Sequence, residues 1–128
     1  MAHTSFESLR VWHDARHLSA RIYQTSNSAA FERDRGLRDQ IRRAAISVMS
    51  NIAEGCERGS RKEFAYFLSI AKGSVGELRS QLYAIEDIGY LEGSVAADLR
   101  HDAKIIARRI SALITVVRKN IPANKASP

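Results

Sequence analysis

Proline and cysteine are nearly missing from this chain: its 128 residues hold two prolines, one cysteine and one tryptophan. Two prolines and seven glycines leave little of the turn punctuation that a many-stranded β fold needs, so an all-α class is expected. The lone Cys56 excludes an internal disulfide framework and suits a reducing compartment, which makes the cytoplasm the expected location. No apolar run approaches the roughly 20 residues of a membrane span. The opening MAHTSFESLRVW has no apolar core of an export signal, so no membrane association is expected. Acid is also scarce: 14 Asp and Glu stand against 20 Lys and Arg, a formal net charge of +6. That balance favours anionic partners such as nucleic acid, although solubility alone accounts for such a charge in many small proteins.

Amphipathic periodicity fills the space that those absences leave. The stretch QIRRAAISVMSNIAEGCERGSRKEFAYFLSIAKGSVGEL, residues 40–78, joins two helices. The spacing predicts a first helix over Phe6 to about Ser26, with Val11, Ala15, Leu18 and Ile22 inward. A second is expected from about Asp34 to Glu54, with Leu37, Ile41, Val48 and Ile52 inward and Gly55 as its C-terminal stop. Ser60 and Glu63 form a capping-box signature that opens the third helix. Its Phe64, Leu68, Ala71, Val75, Leu78, Leu82 and Ile85 alternate in steps of four and three, and Gly89 closes it. Ser94 is expected to cap a fourth helix, whose Leu99, Ala103, Ile106, Ile110, Leu113 and Val117 repeat the heptad until Pro122.

Four such helices with short connections predict an antiparallel up-down-up-down bundle, a single domain over 1–122 followed by a polar tail, 123–128. Gly73 and Gly76 inside the third helix each cost about 1 kcal/mol against alanine, and close approach of a neighbouring helix at Gly73, Ser74 and Gly76 is the expected compensation. Phe67, Ile70, Ile105, Ile114, Val116, Trp12 and Tyr23 exceed what one seam requires. They either widen the core or leave a stripe for self-association.

Catalytic patterns are missing. His13 and His17 are spaced to share a metal, but HDARH offers no third ligand, and no metal or cofactor is expected. Cys56 has no recognisable histidine partner, and Asn51, Glu54 and Arg58 read as stitches across a helix turn. No phosphate loop or Ser/His/Asp set is present, so the expectation is a protein without enzymatic activity. The candidate binding residues are arginines, fifteen of the 20 basic positions. Arg35, Arg38 and Arg42 share one face of the second helix with Arg43 beside them, and Arg108 and Arg109 lie on the fourth. Guanidinium groups pair bidentately with phosphate, so these six are candidate nucleic-acid contacts, and Arg118 and Lys119 add to the basic region of the fourth helix. Asp34 and Asp39 in the same run leave a solvated mixed face as the alternative.

FESLRVWHDA, QIRRAAISVMSNIAEG, GSRKEFAYFLSIAKGSVGEL and DIGYL together resemble the bacterial four-helix bundle proteins often encoded within intervening sequences of 23S ribosomal RNA genes. NIAEG followed by Arg58, Ser60, Glu63 and Phe64 carries the resemblance most specifically. Arg35 stands where that family commonly has an aromatic residue, and the preceding loop lacks its usual proline. The resemblance implies an antiparallel four-helix bundle, commonly a homopentameric ring, with no established catalytic activity. A related accessory protein of diversity-generating retroelements is associated with nucleic-acid binding through a basic surface. The resulting expectation is an oligomeric bundle that binds RNA or DNA through phosphates. The alternative is a protein-interaction scaffold without nucleic-acid binding.

Overall fold

The computed structural model describes residues 5–121, so the expected stop at Pro122 and the tail 123–128 lie outside the described residues. After a 3-10 turn, Phe6–Ser8, come α1 (Arg10–Thr25), α2 (Ala29–Glu32), α3 (Arg35–Glu57), α4 (Arg61–Asp87) and α5 (Gly93–Lys119). Among the described residues there is no strand. Two of the starts are set by side chains: Asp34 Oδ1 accepts the Leu37 N–H at 3.3 Å, and Ser60 Oγ accepts the Glu63 N–H at 3.1 Å.

Residue contacts fix the directions. Along α3 and α4, Ser47 Oγ lies 2.8 Å from Ser74 Oγ while Gly55 lies against Phe64 and Phe67, so the pair is antiparallel. Glu86 meets Arg100 where α4 ends, and Lys72 shares a groove with Thr115 further back, so α4 and α5 are antiparallel too. Asp14 meets Arg109 and Arg21 meets Asp98, which sets α1 against α5 in the same sense. Arg42 near the start of α3 reaches Tyr23 and Ser26 at the end of α1. The helices therefore form a ring in the order α1, α3, α4, α5, with α3 and α5 facing each other across the core diagonal.

The seams are those the periodicity implies, except that Leu37 and Phe64, near their helix starts, are only half-buried. Val11, Ala15, Leu18 and Ile22 are buried on α1, and Leu68, Ala71, Val75, Leu78, Leu82 and Ile85 on α4 have no exposed surface. On α5 the stripe moves from the expected Leu113, half-buried, to Ile114, buried. A straight helix of 3.6 residues per turn drifts about 20° per heptad against a 3.5 repeat, and over 27 residues that shifts the inward position by one.

Four expectations are corrected. Gly55 does not stop its helix: α3 runs on to Glu57, and the turn falls at Gly59, whose φ of +83° suits a residue without Cβ. Gly55 is instead the point of close approach, since a Cβ there would stand 2.6 Å from Phe67 Cβ. Gly73 and Gly76 have no atom within 4 Å of where a Cβ would be, so neither lets a helix of this chain pack closely. Ser94 lies inside α5, whose N-cap position is Glu92 with no side-chain cap bond. The first helix is broken at Leu9, where the 3-10 turn gives way to α1.

One element has no counterpart in the periodicity. The single turn α2 inserts Phe31 into the core with 0% exposure, and Tyr90 packs edge-on to it at 5.3 Å between ring centroids. Tyr90 Oη donates to Asp34 Oδ2 at 3.0 Å, tying the α4–α5 turn to the start of α3.

Candidate nucleic-acid interface

The six candidate arginines divide according to what their neighbours offer. Arg42 is folded back onto α1: its Nε donates to Ser26 Oγ at 2.8 Å, and its Nη2 reaches the carbonyls of Tyr23 and Ser26, both at 3.3 Å. Its guanidinium also sits 4.6 Å from the Tyr23 ring centroid. A cation on the last carbonyls of a helix satisfies acceptors that have no intrahelical partner and opposes the negative end of the macrodipole. Arg42 is therefore a clamp on the end of α1.

Arg38 pairs with Glu32 at 2.7 Å and lies 3.5 Å from Asp39, joining α2 to α3. Arg109 pairs with Asp14 at 2.5 Å and closes the seam between α1 and α5. Arg21 strengthens that seam by forking between Asp98 and Asp102, one turn apart on α5. Arg35 is 74% exposed and only 4.0 Å from Glu32, too far for a good hydrogen bond. Arg43 and Arg108 are exposed and have no ion pair or hydrogen bond among the described residues. Arg35, Arg43 and Arg108 are thus the outward members of the set. Because α3 and α5 are diagonal, the two basic regions are not adjacent across a helix seam.

Of a second group of cations, the sequence singled out Arg118 and Lys119 but not Lys72, Arg79 or Lys104. Lys72 and Arg118 stand on facing helices and line one open groove between α4 and α5, together with Ser69, Gly73, Ser111, Ile114 and Thr115. Arg79, Lys104 and Lys119 are on the same two helices, also without ion partners among the described residues. Lys72, Arg79 and Lys104 escape a linear reading because they are spread singly along two helices, and only folding sets them beside Arg118. At least half of the 14 acidic groups, by contrast, are engaged within the chain: Asp14, Glu32, Glu54, Glu63, Glu86, Asp98 and Asp102 all face arginines. Internal pairing removes charge of both signs equally, so the excess positive charge stays on the surface.

The other chemistry-bearing groups are accounted for structurally. His13 and His17 are exposed, and His13 Nε2 is 2.5 Å from the Glu7 carbonyl. Among the described residues no three His, Cys, Asp or Glu side chains are placed to hold a metal. Cys56 is buried, and that burial, with Glu57 and Glu7 nearby, raises its thiol pKa and keeps it protonated. Arg58 bridges Glu54 at 2.8 Å and Glu63 at 3.5 Å and covers the Phe67 ring, the stitch expected across the α3–α4 turn, whereas Asn51 turns back to the Ser47 carbonyl. A cleft of about 210 Å³ between α1 and α5 holds Asp14, Asp102 and Arg109, whose charges already face arginine or carboxylate partners. No helix among the described residues is long and apolar enough to cross a membrane.

Of the surplus apolar residues, Ile114 is buried, and Trp12 is half-buried against Phe6 at 4.9 Å. Phe67 and Ile105 are also half-buried, the former beside Gly55. Tyr23, Ile70 and Val116 remain exposed, and Tyr66, Tyr83, Ile88 and Ile46 join them.

Comparison with known proteins gives the same architecture. Residues 7–112 match the family described as 23S rRNA-intervening sequence protein. A solved structure from Bacteroides thetaiotaomicron, described as a protein with unknown function from the S23 ribosomal protein family, superimposes with a TM-score of 0.74. The two share 21% identity, over 81% of this chain and 97% of that one. No curated protein matches the sequence.

Proposed function

The chain belongs to the 23S rRNA-intervening sequence protein family, and from that premise we propose that it is a non-catalytic helical bundle that binds RNA, or nucleic acid generally, through phosphates. The observation that supports this is the partition of charge. Acidic side chains close the α1–α5, α2–α3 and α3–α4 joints, while Arg43, Arg108, Lys72, Arg79 and Arg118 have no ionic partner among the described residues. Partnerless cations on a rigid helical frame neutralise a phosphate backbone without reading bases. Of the six candidate arginines, Arg38, Arg42 and Arg109 are scaffold in this reading, and Arg35, Arg43 and Arg108 are contacts.

The protein acts in the cytoplasm as a homo-oligomer, a pentamer by its family resemblance. Tyr66, at 63% exposure, with Tyr83, Ile88 and Val116, is apolar surface available for self-association. The deciding experiment is RNA binding by the full chain as a function of salt. The log of the association constant should fall linearly with log salt, with a slope of about −0.7 for each phosphate neutralised on a single strand and about −0.9 on a duplex. Absent binding at low salt, or affinity indifferent to salt, refutes the proposal. The scaffold reading then takes its place, resting on the same exposed aromatic residues and tested by whether sedimentation detects self-association without RNA.

A further inference from the structure

We propose that the groove between α4 and α5 is the seat of one extended phosphodiester strand, with Lys72 and Arg118 as its phosphate contacts, an assignment that rests on the nucleic-acid reading above. The groove is open and encloses about 570 Å³. One cation projects from each wall, and none of the residues lining it is acidic. Neither Lys72 nor Arg118 has an ion pair or hydrogen bond among the described residues, whereas Arg58 and Arg109 at other helix seams are held in salt bridges. At Gly73 nothing lies within 4 Å of the Cβ position, so the floor there is bare backbone.

The antiparallel register continues the track. Lys72 and Thr115 share the groove and Glu86 meets Arg100, which sets position 79 level with about 107–108. Arg79 therefore stands about 10 Å from Lys72 along α4, and Arg108 about 15 Å from Arg118 along α5, at 1.5 Å per residue. Beyond them Glu86 pairs with Arg100 at 2.6 Å, and that acid ends the cationic run. Packed helices lie about 8–10 Å apart, so the furrow between them admits a single extended backbone, whereas a duplex meets only its rims. A cationic groove that follows one backbone is the common basis of single-strand binding.

The same surface gives Gly73 a role. Gly73 and Gly76 cost helix stability and make no close approach within the chain, but any larger side chain at 73 would fill the groove. Glycine at 73 leaves the backbone accessible to a strand.

The test uses fluorescence anisotropy with a labelled oligouridylate of about 20 nucleotides, titrated with the full chain between about 50 and 200 mM salt. Lys72→Gln/Arg118→Gln should weaken binding at least tenfold at the lower salt and flatten the log–log slope by about 1.4, which is 0.7 for each of the two phosphates that would no longer be neutralised. Arg10→Gln/Arg33→Gln removes the same charge from exposed residues outside the groove, and this control should have little effect. Gly73→Leu keeps the charge but obstructs the floor, and should weaken binding while the chain melts no lower. Equal weakening in the two double variants, or full affinity in Gly73→Leu, would overturn the groove while leaving phosphate binding elsewhere intact. A duplex of equal length that binds more tightly than the single strand would overturn the strand assignment. No binding by the wild type at low salt would remove both this site and the function on which it rests.

Discussion

Adding one methyl group to each of two glycines in this bundle should have opposite effects. In a helix interior, Gly→Ala gains about 1 kcal/mol of intrinsic propensity. At Gly73 the new Cβ meets nothing within 4 Å, so the whole gain should appear as stability. At Gly55 it would stand 2.6 Å from Phe67 Cβ, 3.2 Å from Phe64 Cδ1 and 3.3 Å from the Phe64 carbonyl oxygen. Carbon atoms pack at about 3.5–4.0 Å, so α3 and α4 must separate by roughly 1 Å at that crossing. Phe67 Cβ is anchored to the backbone and cannot rotate away. Overpacking of this kind costs about 1–3 kcal/mol, which outweighs the propensity gain and leaves a net loss on the order of 1 kcal/mol. For a chain of this size that corresponds to roughly 4 °C in Tm, upward for Gly73→Ala and downward for Gly55→Ala. Thermal and urea unfolding followed by circular dichroism measure both. A Gly55→Ala protein that melts at or above the wild type would refute the close approach. A Gly73→Ala protein that melts below it would mean that another chain lies against α4.

Other perturbations test separate parts of the structure. Phe31→Ala should cost about 3–5 kcal/mol by urea unfolding, because α2 holds the chain to the core through that one ring; a loss under about 1 kcal/mol would mean α2 is not docked. Arg42→Gln should lower stability by about 1–2 kcal/mol through the three acceptors left unpaired at the end of α1, and Arg43→Gln should leave stability unchanged and weaken RNA binding; the reverse pattern would exchange their roles. The bond that Tyr90 donates to Asp34 raises the Tyr90 pKa above its usual value near 10, followed in effect by burial and the Asp34 charge. That contribution is complete below about pH 10 and is lost as pH rises through the raised value. The stabilities of wild type and Tyr90→Phe should therefore converge in alkali, and parallel pH curves would contradict the bond.

The two arginine groups mark where a linear reading stops. Arg38 and Arg42 belong to a regular basic face along α3, but Glu32 comes from a turn that periodicity does not reveal. Ser26 and the Tyr23 carbonyl come from another helix. Spacing identifies which side chains share a face; it does not identify what lies opposite that face. Lys72 and Arg118 are the converse case, ordinary in isolation and far apart in the chain, and joined only by the antiparallel register of α4 and α5.

The four long helices and most of their inward stripes were determined locally, because apolar residues at steps of three and four can be buried only as one helical face, and Asp34 and Ser60 cap helices with their own backbone neighbours. Gly89 closes α4 for a similarly local reason, its φ of +81°. Tertiary structure decided the rest. It chose Gly55 rather than Gly73 as the point of close approach, docked Phe31, and sorted clamping cations from outward ones. Each of those depends on which surfaces meet across the bundle, and that pairing is set by packing between helices far apart in the chain, where no local pattern can record it.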